Sequence, residues 1–275
     1  MPVHALDLPA PDTLQRAVHA RLPGFTHVQW VASTGSTNAD LLARARQSQT
    51  PKPWLLGAHL QEAGRGRAGR AWKNRSGATL MFSCAFDVHL PAPQLPALSP
   101  MAGLAACEAL RHLSAQTGVC VKWPNDVQWH EAKLAGVLAE TTRNPDGNGH
   151  TVVIGMGLNL RDADMLSANL QRAIADWSQV DAQDRVRDAA DIVQATALAW
   201  QQAVADLEQH GFAAFVQRYA QADALHGRSV NVIDRGEVLY GGQAAGVDVL
   251  GRLQVQCDHG LMAVTAGEIS VRPQP

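Results

Sequence analysis

Five of the 23 basic residues crowd into twelve positions, Gly64-Arg65-Gly66-Arg67-Ala68-Gly69-Arg70-Ala71-Trp72-Lys73-Asn74-Arg75, with no acid among them. Glycines at 64, 66 and 69 let the backbone turn sharply and approach a ligand closely. The interleaved arginines offer planar forks that match carboxylate and phosphate oxygens. Such a loop can hold two anionic reactants that would otherwise repel each other. A merely solvated basic loop is the plainer reading. It is weakened by the apolar, strand-like segments on either side and by a formal net charge of only −2. Gly64, Gly66 and Gly69 also fit G-x-G-x-x-G, with Asp87 about where a ribose-binding acid falls. A dinucleotide fingerprint must open a helix whose N-terminus holds the pyrophosphate. Here Trp72–Gly77 (WKNRSG) is a poor helix and a strand follows, so the dinucleotide fold is rejected.

Other polar groups occur in short clusters. Ser36-Thr37-Asn38 ends a polar turn before a helix, Gln61 closes an apolar run, and Asp126 ends Lys122-Trp123-Pro124-Asn125-Asp126. Lys133 opens Lys133-Leu134-Ala135-Gly136-Val137-Leu138-Ala139-Glu140, and Asn159 ends Gly155-Met156-Gly157-Leu158-Asn159. Ser36, Thr37 and Gln61 are neutral hydrogen-bonding groups suited to an uncharged polar ligand, or simply to helix capping and a surface amide. Nothing resembles a Ser–His–Asp or Cys–His nucleophile. The 11 histidines are dispersed without an H-x3-H pair, and Cys84, Cys107, Cys120 and Cys257 form no CxxC. Zinc and disulfide frameworks are therefore not expected, and reduced thiols point to the cytoplasm.

These groups need a scaffold, and the chain is long enough to supply one. Its 275 residues, 46% hydrophobic and 17% charged, suit a globular protein with a sizeable core. A nearly neutral balance argues against coating nucleic acid. The first thirty residues carry Asp7, Asp12, Arg16 and Arg21 and lack a secretory h-region. The uncharged stretch Val88–Ala106 contains four prolines and cannot span a membrane. Strands are expected over Trp54–Leu60, Ala78–Val88, Val119–Trp123, Lys133–Glu140 and Thr151–Gly155. Helices are expected over Ala39–Gln47, from Ser99-Pro100 to Gly118, and across Asp188–Tyr219. From Gly227 the chain becomes short-stranded and glycine-punctuated, as in a small antiparallel barrel. The expected fold class is α+β, with domains 1–224 and 225–275.

The motifs in this order resemble those of biotin–protein ligases, which attach biotin to carboxylase carrier domains. The Ser36-Thr37-Asn38 turn, Gln61 with the glycine–arginine loop through Trp72, and the KWPND, KLAGVLAE and GMGLN segments all match. The match runs over residues 30 to 160, and the GR-x-V and GEIS-x-R strands extend it to the end. Gly35 stands where many relatives carry Asp before the Ser-Thr pair. The resemblance implies a central mixed sheet flanked by helices, as in class II aminoacyl-tRNA synthetases and lipoate ligases, followed by an SH3-like β-barrel.

The resemblance further implies that ATP and biotin, with Mg2+, are the small-molecule substrates and that a biotin carboxyl carrier protein domain is the partner. Lys133, Arg65 and Arg67 would be catalytic. Ser36, Thr37, Asn38, Gln61, Gly64, Arg65, Gly66, Arg67, Lys133, Gly136, Gly155 and Gly157 would bind biotin. Arg65, Arg67, Arg70, Trp72, Asn125, Lys133 and Asn159 would bind ATP, and Asp126 would hold Mg2+ or order Lys133. Some relatives carry an N-terminal winged helix that makes them repressors. About 30 residues precede the first motif here, fewer than a DNA-reading domain of that kind needs, so no repressor function and no DNA or membrane partner is expected. A monomer or homodimer in the cytoplasm fits these readings. The alternatives are a lipoate or octanoate ligase of the same superfamily and a non-catalytic small-ligand or RNA-binding module.

Overall fold

In the computed structural model, which describes residues 6, 8–181, 186, 188–234, 236–266 and 270–274, the chain forms a seven-stranded mixed sheet and a five-stranded antiparallel one. Helix α1 (Pro11–Arg21) begins on a proline and buries Leu14 and Val18. Strand β1 (His27–Thr34) leads into α2 (Thr37–Ala45), whose first turn is capped by the Ser36 hydroxyl accepting from the Ala39 N–H at 3.4 Å. Strand β2 (Trp54–Gln61) then lies parallel to β1, a crossover that places the α2 N-terminus at the ends of both strands. Strand β3 (Thr79–Val88) is buried along nearly its whole length.

Helix α3 (Leu98–Ser114) follows a 3-10 turn over Ala92–Ala97. It starts before the expected Ser99 cap because that turn feeds straight into it, and it stops at Ala115, whose φ of 55° ends the helix ahead of Gly118. A meander of β4 (Val119–Lys122), β5 (Asp126–Trp129), β6 (Ala132–Arg143) and β7 (His150–Asn159) completes the sheet in the order β1-β2-β3-β7-β6-β5-β4. Helices α4 (Ala163–Leu170), α5 (Trp177–Val180), α6 (Ala189–His210) and α7 (Val216–Ala220) follow. The single helical stretch expected over Asp188–Tyr219 is broken at Gly211, which takes φ 65° and opens a 3-10 turn over Phe212–Phe215.

One large core spans both sheets, because α3 and α6 pack on one face of the seven-stranded sheet while α2 covers the other. The segment after α7 is still tied to that sheet: Val121 donates to the Ala222 carbonyl at 2.8 Å and accepts from Ala224 N–H at 2.9 Å. Strands β8 (Ser229–Asp234), β9 (Glu237–Val247), β10 (Leu253–Cys257), β11 (Gly260–Val264) and β12 (Ser270–Pro273) form the second sheet, in the order β11-β10-β9-β8-β12. The two sheets are clasped by Trp123, whose indole N–H donates to the Gly251 carbonyl at 3.1 Å while the ring is 2% exposed. Truncating Trp123 to alanine should lower unfolding free energy by about 3–5 kcal/mol in urea titration, the usual cost of emptying an aromatic core site.

Candidate active site

A cavity of about 850 Å³ opens beside the middle of the seven-stranded sheet. Its neutral end is built where the α2 N-terminus meets β2, β3, β6 and β7. Thr37 N–H donates to Gln61 Oε1 at 2.9 Å, the Thr37 and Ser83 hydroxyls lie 2.7 Å apart, and Ser83 donates to Asn38 Oδ1 at 2.6 Å. Asn38 Nδ2 in turn donates to Glu140 Oε2 at 2.8 Å and to the Leu138 carbonyl at 3.2 Å. Buried polar groups must find partners, and here they find one another. Gly155 makes this possible: a Cβ there would lie 2.2 Å from Asn38 Oδ1 and 2.7 Å from Ser83 Oγ.

The glycine–arginine segment is a small hairpin folded over the other end. Gly66 N–H donates to the Arg70 carbonyl at 2.7 Å and Trp72 N–H to the Gly64 carbonyl at 2.8 Å, around a 3-10 turn over Arg67–Gly69. Asn74 pins its exit to β2, exchanging hydrogen bonds with the Gln61 backbone at 2.8 and 3.1 Å. These bonds bring the Trp72 ring onto Gly157, where a Cβ would meet ring atoms at 2.4 Å. Lys133 Nζ sits 5.3 Å from the Trp72 ring centroid and 2.6 Å from Asp126 Oδ1. Alternation along β6 and the β5–β6 turn point this lysine inward, and Asn159 holds its carbonyl from below at 3.3 Å.

Among the described residues, seven cations line the cavity (Arg65, Arg67, Arg70, Lys122, Lys133, Arg172 and Arg272) against one carboxylate, Asp126. Burial lowers the pKa of Lys122, opposed by Asp126 and reinforced by Lys133, Arg272 and Arg172. Burial likewise lowers that of Arg67, again opposed by Asp126 and reinforced by Arg70. A lysine held below its ordinary 10.5 destabilises the fold in full at pH values under its folded pKa. That penalty fades as pH rises through the folded pKa toward the unfolded one. Replacing Lys122 with methionine should therefore raise stability without ligand by about 0.5–2 kcal/mol while weakening binding of a polyphosphate. Paired thermal melts with and without pyrophosphate would read both effects.

Of the residues singled out in the sequence, Ser36, Thr37, Asn38, Gln61, Arg65, Gly66, Arg67, Arg70, Trp72, Asn125, Asp126, Lys133, Gly136, Gly155 and Gly157 come together on this one wall. Gly64 and Asn159 do not line it. Asn159 is 5% exposed and spends its amide on the carbonyls of Lys133 and Ala175, so it acts on the site through the Lys133 backbone. Asn125 borders the cavity, but its amide donates to the Val137 carbonyl and fastens the turn to β6. Asp87 faces Lys52 at 2.8 Å, away from the cavity. Sequence reasoning missed Ser83, Lys122, Arg172 and Arg272 as wall residues. Lys122 and Arg272 stood inside quoted motifs without a role, Ser83 was a lone hydroxyl in an apolar strand, and nothing local marks Arg172.

Among the described residues Asp126 is the one wall carboxylate and is engaged by Lys133, and no group of three or more His, Cys, Asp or Glu could ligate a metal. No helix among the described residues is long and apolar enough to cross a membrane.

Residues 30–159 match the biotin/lipoate A/B protein ligase family, and residues 225–272 match the biotin protein ligase C-terminal domain. The bifunctional ligase/repressor BirA of Escherichia coli is 31% identical over 243 residues, covering 86% of this chain and 71% of that protein. The biotin–[acetyl-CoA-carboxylase] ligase of Paracoccus denitrificans is 30% identical over 247 residues, 87% of this chain and 98% of its own. The corresponding ligase of Mycobacterium tuberculosis is 41% identical over 145 residues, about half of each chain (51% and 52%). Among solved structures, the Aquifex aeolicus biotin protein ligase in complex with biotin and ATP superposes with a TM-score of 0.71 at 23% identity, covering 89% of this chain and 98% of that one. The mixed sheet with its flanking helices and C-terminal antiparallel sheet, the ordered motifs and these relatives agree: the chain belongs to the biotin protein ligase family.

Proposed function

We propose that this protein activates biotin with ATP and transfers it to a lysine of a carboxyl carrier protein domain, residues 1–224 acting as the catalytic unit and 225–275 as an accessory domain. In the first step a biotin carboxylate oxygen attacks the α-phosphorus, forming biotinyl-5′-AMP and releasing pyrophosphate. In the second the carrier amine attacks the acyl carbon, an amide bond forms, and AMP leaves. Neither step needs an enzyme nucleophile. The first needs two anions held together and charge neutralised at phosphorus.

The observation that carries this reading is the cavity's division into two ends. Thr37, Gln61 and Ser83 supply neutral donors and acceptors at one end, suited to a ureido ring. The cations gather at the other. Lys133 lies between Trp72 and Asp126, and its ammonium would contact both the carboxylate and the α-phosphate. Arg65, Arg67 and Arg70 reach in from the hairpin. Lys122, Arg172 and Arg272 add the charge a triphosphate requires, and Mg2+ would enter with the nucleotide rather than on a protein site. Incubating the protein with a biotin carrier domain, biotin and MgATP should add one biotinyl mass increment to the carrier by mass spectrometry. An increment from octanoate or lipoate in place of biotin would move the protein to the sister activity. No increment, together with steeply salt-dependent RNA binding, would favour a binding module instead.

A further inference from the structure

The neutral end of the cavity has a hydrogen-bond polarity that proton counting fixes. Asn38 Nδ2 lies 2.8 Å from Glu140 Oε2 and 3.2 Å from the Leu138 carbonyl. The backbone oxygen is an obligate acceptor, so a flipped amide would set its own oxygen against it and against the carboxylate. Asn38 Oδ1 therefore faces Ser83, and because an amide oxygen cannot donate, the single Ser83 proton points to it across 2.6 Å. The Ser83 oxygen is then left to accept. The Thr37 hydroxyl, 2.7 Å away, gives it its only proton in preference to Gln61 Oε1 at 3.4 Å. Toward the cavity Thr37 has lone pairs and no proton. Gln61 is fixed in the same way: its Oε1 accepts from Thr37 N–H at 2.9 Å, so Nε2 is the group it can offer a ligand.

Resting on the reading above, we propose that Glu140, Asn38 and Ser83 act as positioning residues that lock Thr37 as a pure acceptor and so make the pocket select a ligand N–H. With Gln61 as neighbouring donor, the complementary ligand presents an N–H beside a carbonyl, as a cyclic urea does. Acids of similar length that end in a dithiolane or a plain alkyl chain leave Thr37 desolvated and unpaired, which is where discrimination against them arises. Glu140 never meets the ligand. Its carboxylate acts through three intervening side chains.

Calorimetric titration of the full chain without ATP tests this. The probes are biotin, octanoate, and two biotin analogues in which one or the other ring N–H is replaced by a ring oxygen. Wild type should bind biotin, and one analogue should bind roughly ten- to a hundredfold more weakly because its ring oxygen faces the Thr37 lone pairs. In Ser83→Ala the Thr37 hydroxyl is released and can donate, so biotin should weaken about tenfold while the analogue loses far less, shrinking the ratio to a few-fold. Glu140→Ala, at a half-buried site, should shift the ratio in the same direction, and Glu140→Gln, which can still accept from Asn38, should restore it. A purely structural role would weaken all ligands alike. The inference is overturned if the carbamate analogues bind wild type as well as biotin does, or if Ser83→Ala and Glu140→Ala melt like wild type and leave the ratio unchanged. Absence of biotin binding by wild type would instead overturn the ligand assignment, and this inference with it.

Discussion

Lys133→Ala should reduce biotin-dependent ATP–pyrophosphate exchange by about 10²–10³-fold, the usual cost of removing a preorganised charge from a developing phosphoryl centre. The side chain is 14% exposed and held 2.6 Å from Asp126, so it is oriented before any ligand arrives. Preorganisation of this kind makes an ammonium worth more in the transition state than in the ground state. The loss should therefore fall on the rate of exchange more than on biotin affinity. Stability should change little, because Asp126 is about a third exposed and Arg67 is also close enough to interact with it. Exchange in Lys133→Ala within fivefold of wild type would remove this lysine from the chemistry.

Gly155→Ala should abolish measurable biotin binding and cost about 1–3 kcal/mol of stability. An alanine methyl at this position would sit 2.2 Å from Asn38 Oδ1, so the amide must leave Ser83 and Glu140. Two consequences arise from one methyl: overpacking of a buried strand and loss of the polarity that faces the ligand. Gly24→Ala is the matched control, since no atom lies within 4 Å of the added carbon. Calorimetric titration and urea unfolding of both variants would separate a general glycine effect from the local one. Wild-type affinity in Gly155→Ala would show that the network is not part of the pocket.

Much of the scaffold could be read from pattern. The apolar runs that became β2, β3, β6 and β7 and the short C-terminal strands lie where alternation and glycine spacing put them. The first helix and edge strand, α1 and β1, went unassigned because neither carries a strong apolar stripe. Strand β1 shows one fully buried residue, Trp30, among half-exposed ones. Helix boundaries moved where backbone geometry overrode side-chain signals, as at Ala115 and Gly211.

At the site, spacing identified the groups that carry charge or freedom from a side chain. It could not say what each group does once folded. Asn125 and Asn159 look alike as polar residues at or next to the end of proline- or glycine-containing motifs, yet both spend their amides on backbone carbonyls. Ser83, Arg172 and Arg272 reach the cavity only because the sheet order and the clasp between the two sheets bring distant segments together. Such long-range placement leaves no local trace in composition.

The most direct measurement is a crystal structure of the protein with a non-hydrolysable biotinyl-adenylate analogue. The ureido ring should lie against Thr37, Gln61 and Gly155, and the phosphate should sit within hydrogen-bond reach of Lys133 and an arginine of the 64–75 hairpin. An adenylate bound elsewhere, with the hairpin turned out to solvent and Lys133 still paired only to Asp126, would contradict the account.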